Sequence, residues 1–251
     1  WLLSKKYSVT LIEKESQLGG HAHTHFLDSG PDSGTPIDMG FIVLNDRNYP
    51  TLEKLLAQWG VRTQNTDMAF GFEDKDSGFY YSSDVPGGLF ARRRNLISPL
   101  FWRMMWDIFR FNRIARRELY AGLGRLTLGQ FLEKYGFSRA YIDFYIIPTS
   151  ASIWSTPCDH ILDFPAETIL RFFDHHGLLA LSNRPQWKTV VGGSISYVQA
   201  FEKQFKGTVQ KACPIRQVER LPEKVKVILE DHREMDFDHV VLATHADVSA
   251  R

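Results

Sequence analysis

The segment Leu11–Thr24, LIEKESQLGGHAHT, decides the fold of this 251-residue chain. An apolar run from Ser8 to Ile12 ends at Glu13, and Gly19-Gly20 begins six residues later. This order is typical of the second strand of a dinucleotide-binding βαβ unit, in which a carboxylate at the strand end accepts hydrogen bonds from both ribose hydroxyls of an adenosine. The chain contains no Gly-rich phosphate loop before this strand, so we expect that loop to precede Trp1.

Composition narrows the class of protein only coarsely. The 30 basic and 29 acidic residues nearly balance, which argues against a nucleic-acid partner for the chain as a whole. Two cysteines, Cys158 and Cys213, are too few for a disulfide framework. There is no apolar run of about 18 residues and no visible signal peptide. We therefore expect a cytoplasmic protein, although a targeting segment could precede Trp1.

Stretches with strand-like and helix-like patterns alternate along the chain, which favours an α/β or α+β fold. Helices are predicted for residues 49–60, 127–135, 138–147, 165–173 and 195–205, with Thr127 and Ser138 as N-caps. Two hairpins are predicted, from 68–72 with 78–82 and from 215–220 with 225–229. The run from Phe237 to Thr244 predicts a buried parallel strand that ends at a ligand crevice.

The segment Arg92–Leu119 is the most unusual by composition, because eight arginines are interleaved with tryptophan, phenylalanine and methionine. A basic amphipathic helix of this kind can lie at a membrane interface. It can equally pack within a substrate domain, with arginine stems covering apolar neighbours. We favour the packed helix and keep the membrane contact as an alternative.

Histidines raise the question of a metal site. His21, His23 and His25 alternate, so on a strand they would share one face and could hold zinc or iron. The pair His175-His176 ends a predicted helix, where an imidazole is also favoured by the helix dipole. The residues alone leave both interpretations open.

Five segments together resemble the FAD-dependent oxidoreductases of the flavin-containing amine oxidase superfamily, in particular the bacterial NAD/FAD-binding proteins that are similar to phytoene desaturases and protoporphyrinogen oxidases. The segments are LIEKESQLGGHAHT, IDMGFIVLN, PTSASIWSTP, WKTVVGGSISYVQAF and DHVVLATHADVSA. The resemblance implies a Rossmann-like FAD/NAD(P)-binding domain that lacks its first strand and Gly-rich loop, with an inserted α+β substrate domain. The implied limits are 1–47 and 189–251 for the FAD-binding domain and 48–188 for the substrate domain, with a further flavin-binding segment after Arg251.

The resemblance also implies which residues bind the adenosine and pyrophosphate of FAD. Glu13 would bind the ribose, and Gly19, Gly20 and His21 would lie along the pyrophosphate. Many relatives carry arginine where this chain has His21, so a fixed positive charge is replaced by one that depends on pH. Because this account explains the Gly-Gly-His segment, we predict no metal there.

The remaining implied contacts lie further along the chain. Gly40, Phe41 and Ile42 would run beside the flavin and contact it through their backbone. Ile215 would make a backbone contact to adenine, and Thr244 would end its strand near the pyrophosphate.

No catalytic residue is identified, because flavin chemistry needs little from a protein beyond placing the substrate and excluding water. The aromatic middle segment favours an apolar substrate. The family's occurrence beside cyclopropane fatty-acid synthases implies a lipid-like one. We therefore expect an FAD-dependent enzyme that oxidises or desaturates an apolar substrate, and we expect residues 1–251 alone to be inactive. The alternatives are a nicotinamide-dependent oxidoreductase and a non-catalytic, membrane-associated module.

Overall fold

The structure, a computed structural model, describes residues 1–83, 87–180 and 184–250. The chain forms two compact units. Unit 1 contains Trp1–Ile42, Lys54–Arg62 and Val190–Arg251, and unit 2 contains Val43–Glu53 and Thr63–Thr189. The domain limits expected from the sequence, 1–47, 48–188 and 189–251, stay a prediction.

Short strands and helices alternate over the described residues. In chain order the strands are β1 (Thr10–Ile12), β2 (Thr24–Phe26), β3 (Pro36–Asp38), β4 (Leu44–Asn45), β5 (Thr63–Asn65), β6 (Gly71–Asp74), β7 (Phe79–Ser82), β8 (Trp187–Val190), β9 (Thr208–Gln210), β10 (Ile215–Arg220), β11 (Val225–Leu229) and β12 (Glu234–Phe237). The helices are α1 (Pro50–Gln58), α2 (Pro99–Ala121), α3 (Leu128–Lys134), α4 (Arg139–Tyr141), α5 (Ile147–Trp154), α6 (Ala166–His175), α7 (Ile195–Gln204) and α8 (Ala246–Ser249). Short 3-10 turns cover Leu3–Lys5, Arg93–Ile97 and Cys158–Asp163, and a π-helical turn covers Ile142–Ile146.

Unit 1 is organised around a parallel pair of strands. β1 and β9 pair in parallel with Leu11 opposite Val209, as the dinucleotide-binding interpretation of Glu13 requires. Leu18, Ala22 and Val198 form a small core beside this pair. β10, β11 and β12 form a separate antiparallel sheet, so the hairpin predicted for 215–220 and 225–229 is confirmed.

A long hairpin in unit 1 brings the Gly-Gly turn close to Gly40. β2 and β3 pair with Thr24 opposite Asp38. Two backbone hydrogen bonds continue the ladder beyond the strands, from Met39 N to His23 O and from Phe41 N to His21 O, each 2.8 Å long. Residues 21 and 41, to which the family resemblance assigns different parts of one cofactor, are therefore direct neighbours.

Unit 2 is mainly helical, with its core between α2, α3 and α6. Phe111, Phe131, Tyr141 and Phe173 are buried together in this core. The predicted hairpin of 68–72 with 78–82 is confirmed as β6 and β7. β4, β8 and β5 form a small three-stranded sheet.

Two predicted helix caps are confirmed in unit 2. The Thr127 hydroxyl accepts a hydrogen bond from Gln130 N at 3.2 Å, and the Gln130 side chain accepts one from Thr127 N at 3.0 Å. This reciprocal capping box satisfies two backbone donors that the helix itself cannot pair. The Ser138 hydroxyl accepts from Tyr141 N at 3.3 Å.

The parallel strand predicted from Phe237 to Thr244 is wrong. β12 ends at Phe237, and in the described part of the chain residues 238–244 pair with no strand. Val241 is 76% exposed. An apolar run becomes a strand only where a neighbouring strand satisfies its backbone groups, and this run has none there.

Candidate functional site

Glu13 lies at the carboxyl end of β1, where strands of this kind place ligand-binding groups. Its backbone N–H donates to Gln210 O at 2.8 Å, and its carbonyl accepts from Cys213 N at 2.9 Å. Glu15 N donates to Glu13 Oε1 at 2.9 Å, which orients the half-buried carboxylate. A carboxylate has about four acceptor positions, so Glu13 can still accept the two hydroxyls of a ribose.

The Gly19-Gly20 turn fits a pyrophosphate. Gly19 and Gly20 have φ values of 125° and 54°, which glycine adopts without the steric cost other residues would bear. A Cβ at Gly19 would lie 2.7 Å from Ala22 O, whereas no atom lies within 4 Å of a Cβ built at Gly20. The chain therefore turns tightly at Gly19 and leaves open space at Gly20, where a phosphate could approach the backbone.

Gly40 is required by a close backbone contact. A Cβ at this position would lie 2.4 Å from His21 O, so no other residue fits without moving the chain. The contact joins the predicted pyrophosphate segment to the predicted flavin segment. Next to it, the Phe41 ring packs edge-on against Tyr197, with ring centroids 6.3 Å apart, and Ile42 is half exposed.

Asp38 connects this hairpin to the start of α7. Ser194 N donates to both carboxylate oxygens at 2.8 and 3.0 Å, and Ser194 Oγ donates to Oδ1 at 2.7 Å. Thr24 Oγ1 donates to Oδ1 at 2.5 Å and accepts from Ile195 N at 2.9 Å. Ser194 is fully buried, so the network fixes the position of the hairpin relative to α7 within unit 1.

Burial and charge also affect the aromatic neighbour of this network. Burial raises the pKa of the Tyr197 hydroxyl, and the negative charge of Asp38 raises it further. Tyrosine is a neutral phenol at physiological pH even at its ordinary pKa, so this raised pKa keeps Tyr197 neutral well above that pH.

The sequence did not identify Thr24, Asp38, Gly193 and Ser194 as parts of one structure. A Cβ at Gly193 would lie 2.6 Å from Thr24 Cγ2, so this glycine allows the close approach. The available signal was Asp38 two residues before Gly40 and a second Gly-Gly pair directly before a helix.

Ile215 lies at the start of a strand, whereas Thr244 lies outside the strands of the described residues. Ile215 begins β10 beside a β-bulge and follows the residues that hydrogen-bond to the Glu13 strand end. Thr244 does not end a strand, and its hydroxyl lies 2.6 Å from Ser249 Oγ. The adjacent His245 ring nevertheless packs against His21 at 5.5 Å, so the Thr244 segment still lies beside the Gly-Gly turn.

The alternating histidines His21, His23 and His25 are of a residue type that can bind a metal ion. Within the residues that the structure describes, no group of three or more His, Cys, Asp or Glu side chains is arranged to hold a metal ion. In the same residues no helix is both long and apolar enough to cross a bilayer.

The chain belongs to the flavin containing amine oxidoreductase family, whose model matches residues 2–251. FAD is the cofactor of this family. The half-buried Glu13 carboxylate, the open Gly20 turn and the Gly40 contact are consistent with binding that group. Among curated protein sequences no significant match was found.

Solved structures show the same fold at low sequence identity. A mutant of putrescine oxidase is 17% identical with a TM-score of 0.67, and the match covers 100% of this chain and 55% of that one. Cyclohexylamine oxidase from Brevibacterium oxydans is 15% identical with a TM-score of 0.68, covering 97% and 54%. A CLA-producing fatty acid isomerase from P. acnes is 15% identical with a TM-score of 0.61, covering 96% and 54%.

These likenesses confirm the predicted fold class, the α/β fold of FAD-dependent amine oxidases. The chain spans about half the length of these solved structures.

Proposed function

We propose that the protein is an FAD-dependent oxidoreductase that removes a hydride from a small, apolar, lipid-like substrate. One observation carries the cofactor part of the proposal. The Gly19-Gly20 turn, His21 and Gly40 meet on one hairpin, and Asp38 holds that hairpin against the start of α7. Three segments separated in sequence thus form the kind of backbone surface on which a dinucleotide can lie.

Each part of this surface would have a separate task. The Glu13 carboxylate would accept hydrogen bonds from the adenosine ribose, and the backbone N–H groups of the Gly19–His21 turn would donate to the pyrophosphate. The backbone around Gly40 would run beside the flavin ring. The bound flavin supplies the hydride acceptor. The protein's own contribution is to position the two reactants and to exclude water from them.

The apolar substrate is supported by composition and by one structural relative. Aromatic side chains dominate a second core cluster of unit 2, including Phe72, Phe79, Tyr81, Phe101 and Phe144. One solved structure with this fold is that of a fatty acid isomerase, although others are amine oxidases. A hydride can be taken from a C–H bond without a charged group beside it, so an apolar environment is sufficient.

The cofactor is tested with the full-length protein and two matched variants. Glu13→Gln should weaken FAD binding roughly tenfold or more, because a charged acceptor for ribose hydroxyls is lost. Glu15→Gln removes an exposed carboxylate two residues away and keeps the backbone N–H that orients Glu13, so FAD affinity should change less than about twofold. A colourless protein that takes up no FAD, or equal affinities for both variants, would contradict the proposal.

The substrate class is tested separately by anaerobic mixing. Unsaturated fatty acids should decrease the absorbance of the bound flavin, and putrescine and cyclohexylamine should leave it unchanged. The reverse result would keep the flavoenzyme and refute the lipid-like substrate. Reduction only after addition of a nicotinamide would instead favour a nicotinamide-dependent enzyme.

A further inference from the structure

Helix α2 exposes an aromatic and basic face. Trp102, Trp106, Phe109 and Tyr120 follow one another at intervals that place them on one side of the helix. They are 49%, 62%, 47% and 94% exposed. Arg113 lies on the same side, between Phe109 and Tyr120. We call these five residues the aromatic-basic face.

The opposite side of α2 fixes this orientation. Phe101, Met104, Phe111 and Ala115 are completely or almost completely buried in the core of unit 2. Asp107 is also fully buried and accepts hydrogen bonds from the Arg110 side chain and from Ser138 N. Rotating the helix to hide its tryptophans would expose this core, so the aromatic-basic face remains on the surface of unit 2.

The arginines on and near α2 divide into those with an acidic partner and those without one in the described residues. Arg103 and Arg117 pair with Asp107 and Glu118. Across the described ranges, no carboxylate lies within ion-pair distance of Arg113, Arg116 or the two arginines of the preceding 3-10 turn, Arg93 and Arg94. These four side chains are exposed. The surface therefore carries uncompensated positive charge beside large aromatic rings.

We propose that the aromatic-basic face binds an anionic lipid surface. A protein partner would have to desolvate several arginines and supply a carboxylate for each, which is costly unless every charge is paired. An anionic bilayer accommodates the aromatic and the basic side chains at once, because tryptophan and tyrosine rings lie at the headgroup level and arginines contact lipid phosphates.

The exposed apolar residues at the start of the helix extend the same surface. Leu96 and Ile97 are 51% and 83% exposed, and the Trp102 indole N–H donates to Leu96 O at 2.9 Å. This bond joins the preceding turn to the aromatic-basic face. Because no described helix can span a bilayer, α2 would lie in the interface plane. Lipid binding by this surface does not depend on the proposed reaction.

The experiment is co-sedimentation of the full-length protein with two kinds of vesicle, phosphatidylcholine alone and phosphatidylcholine with about one third phosphatidylglycerol. We expect binding to the anionic vesicles, weakened by salt. Arg113→Gln with Arg116→Gln should weaken it about 25-fold, since each arginine near an anionic surface contributes about fivefold. Trp106→Ala with Phe109→Ala should weaken it roughly tenfold.

The matched control removes two exposed arginines from the β10 strand of unit 1. Arg216→Gln with Arg220→Gln makes the same change in net charge in unit 1, outside the aromatic-basic face, and should change binding less than about threefold. Far-UV circular dichroism shows whether each variant has folded. If Arg113→Gln with Arg116→Gln has not folded, Arg93→Gln with Arg94→Gln replaces that pair. Equal losses for the two arginine pairs, equal binding to both kinds of vesicle, or no binding to anionic vesicles would overturn the proposal.

Discussion

Replacement of Asp38 by alanine should destabilise unit 1 and weaken FAD binding together. The change removes the acceptor for Ser194 N, Ser194 Oγ and Thr24 Oγ1. Ser194 is fully buried, so water cannot replace the lost acceptor. The hairpin that carries Gly40 would then lose most of its hydrogen bonds to the start of α7 and keep the bond from Ile195 N to Thr24 Oγ1.

The magnitude follows from these contacts. A hydrogen bond to a charged group contributes about 1.5–3 kcal/mol, and loss of a carboxylate at a helix start costs about 0.3–1 kcal/mol. Thr24 Oγ1 keeps its bond from Ile195 N and still lies 3.3 Å from Ser194 Oγ, which offsets part of the loss. We expect Asp38→Ala to lower the free energy of unfolding by about 3–5 kcal/mol.

Asp38→Asn provides an intermediate case. It keeps one acceptor oxygen but places an NH₂ group against the donors of Ser194 and Thr24, so we expect a loss of about 1–3 kcal/mol. Asp32→Ala is the control, because Asp32 is an exposed residue in the loop of the same hairpin and its side chain supports no comparable network. It should change stability by less than about 0.5 kcal/mol.

The assay is urea unfolding followed by far-UV circular dichroism, with FAD titration of each variant at low urea. We expect the three variants to rank Asp32→Ala, Asp38→Asn, Asp38→Ala in increasing loss of both stability and FAD affinity. A loss below about 1 kcal/mol for Asp38→Ala would refute the argument. Full stability with lost FAD binding would show that Asp38 contacts the cofactor and does not act through the hairpin.

Three further changes test other parts of the structure. Gly40→Ala places a Cβ 2.4 Å from the backbone oxygen of His21 and should lower the free energy of unfolding in urea by about 2–4 kcal/mol. Gly71→Ala is the control, because a Cβ at Gly71 meets nothing within 4 Å, and it should cost less than about 0.5 kcal/mol. Burial alone would raise the pKa of Asp107, but hydrogen bonds from Ser138 and the neighbouring arginines lower it by more. The pKa of Asp107 therefore lies below its ordinary value. The ionised Asp107 carboxylate therefore stabilises the folded state above about pH 4, and this stabilisation is lost as the pH falls through the folded-state pKa. Asp107→Asn should lower the free energy of unfolding by about 3–5 kcal/mol at pH 7. This difference from the wild type should shrink in acid, and a constant difference down to about pH 2 would contradict the prediction. Thr127→Ala should lower stability by about 1 kcal/mol through loss of the capping box, and an unchanged melting temperature would count against it.

Local signals in the sequence predicted much of the fold. Thr127 and Ser138 were recognised as caps because a helix start needs an acceptor that a neighbouring side chain can supply. The hairpin of β6 and β7 followed from two short aromatic runs on either side of a glycine turn. Each of these features depends on residues close together in the chain, so the sequence contains the information directly.

Features that depend on distant residues were missed or wrong. Asp38 and Ser194 are 156 positions apart, and no local pattern indicates that a carboxylate and a buried serine will meet. The run 238–244 has the composition of a buried strand, but a strand also requires a partner. In the candidate site, the residues indicated Glu13 as the end of a dinucleotide-binding strand, and the family resemblance implied the role of the Gly19-Gly20 turn, whereas the network of Asp38 and Ser194 required the structure.

The separation between Asp38 and Ser194 also sets an order of events during synthesis. At about 5–20 residues per second, a ribosome needs roughly 8–30 s to make the intervening chain. Throughout that interval the Asp38 carboxylate is hydrated and the hairpin has no helix to hold it. On the proposed FAD site, cofactor capture would therefore wait until α7 has left the ribosome. A nascent chain halted before Ser194 would expose the proposed dinucleotide surface without the helix that holds it.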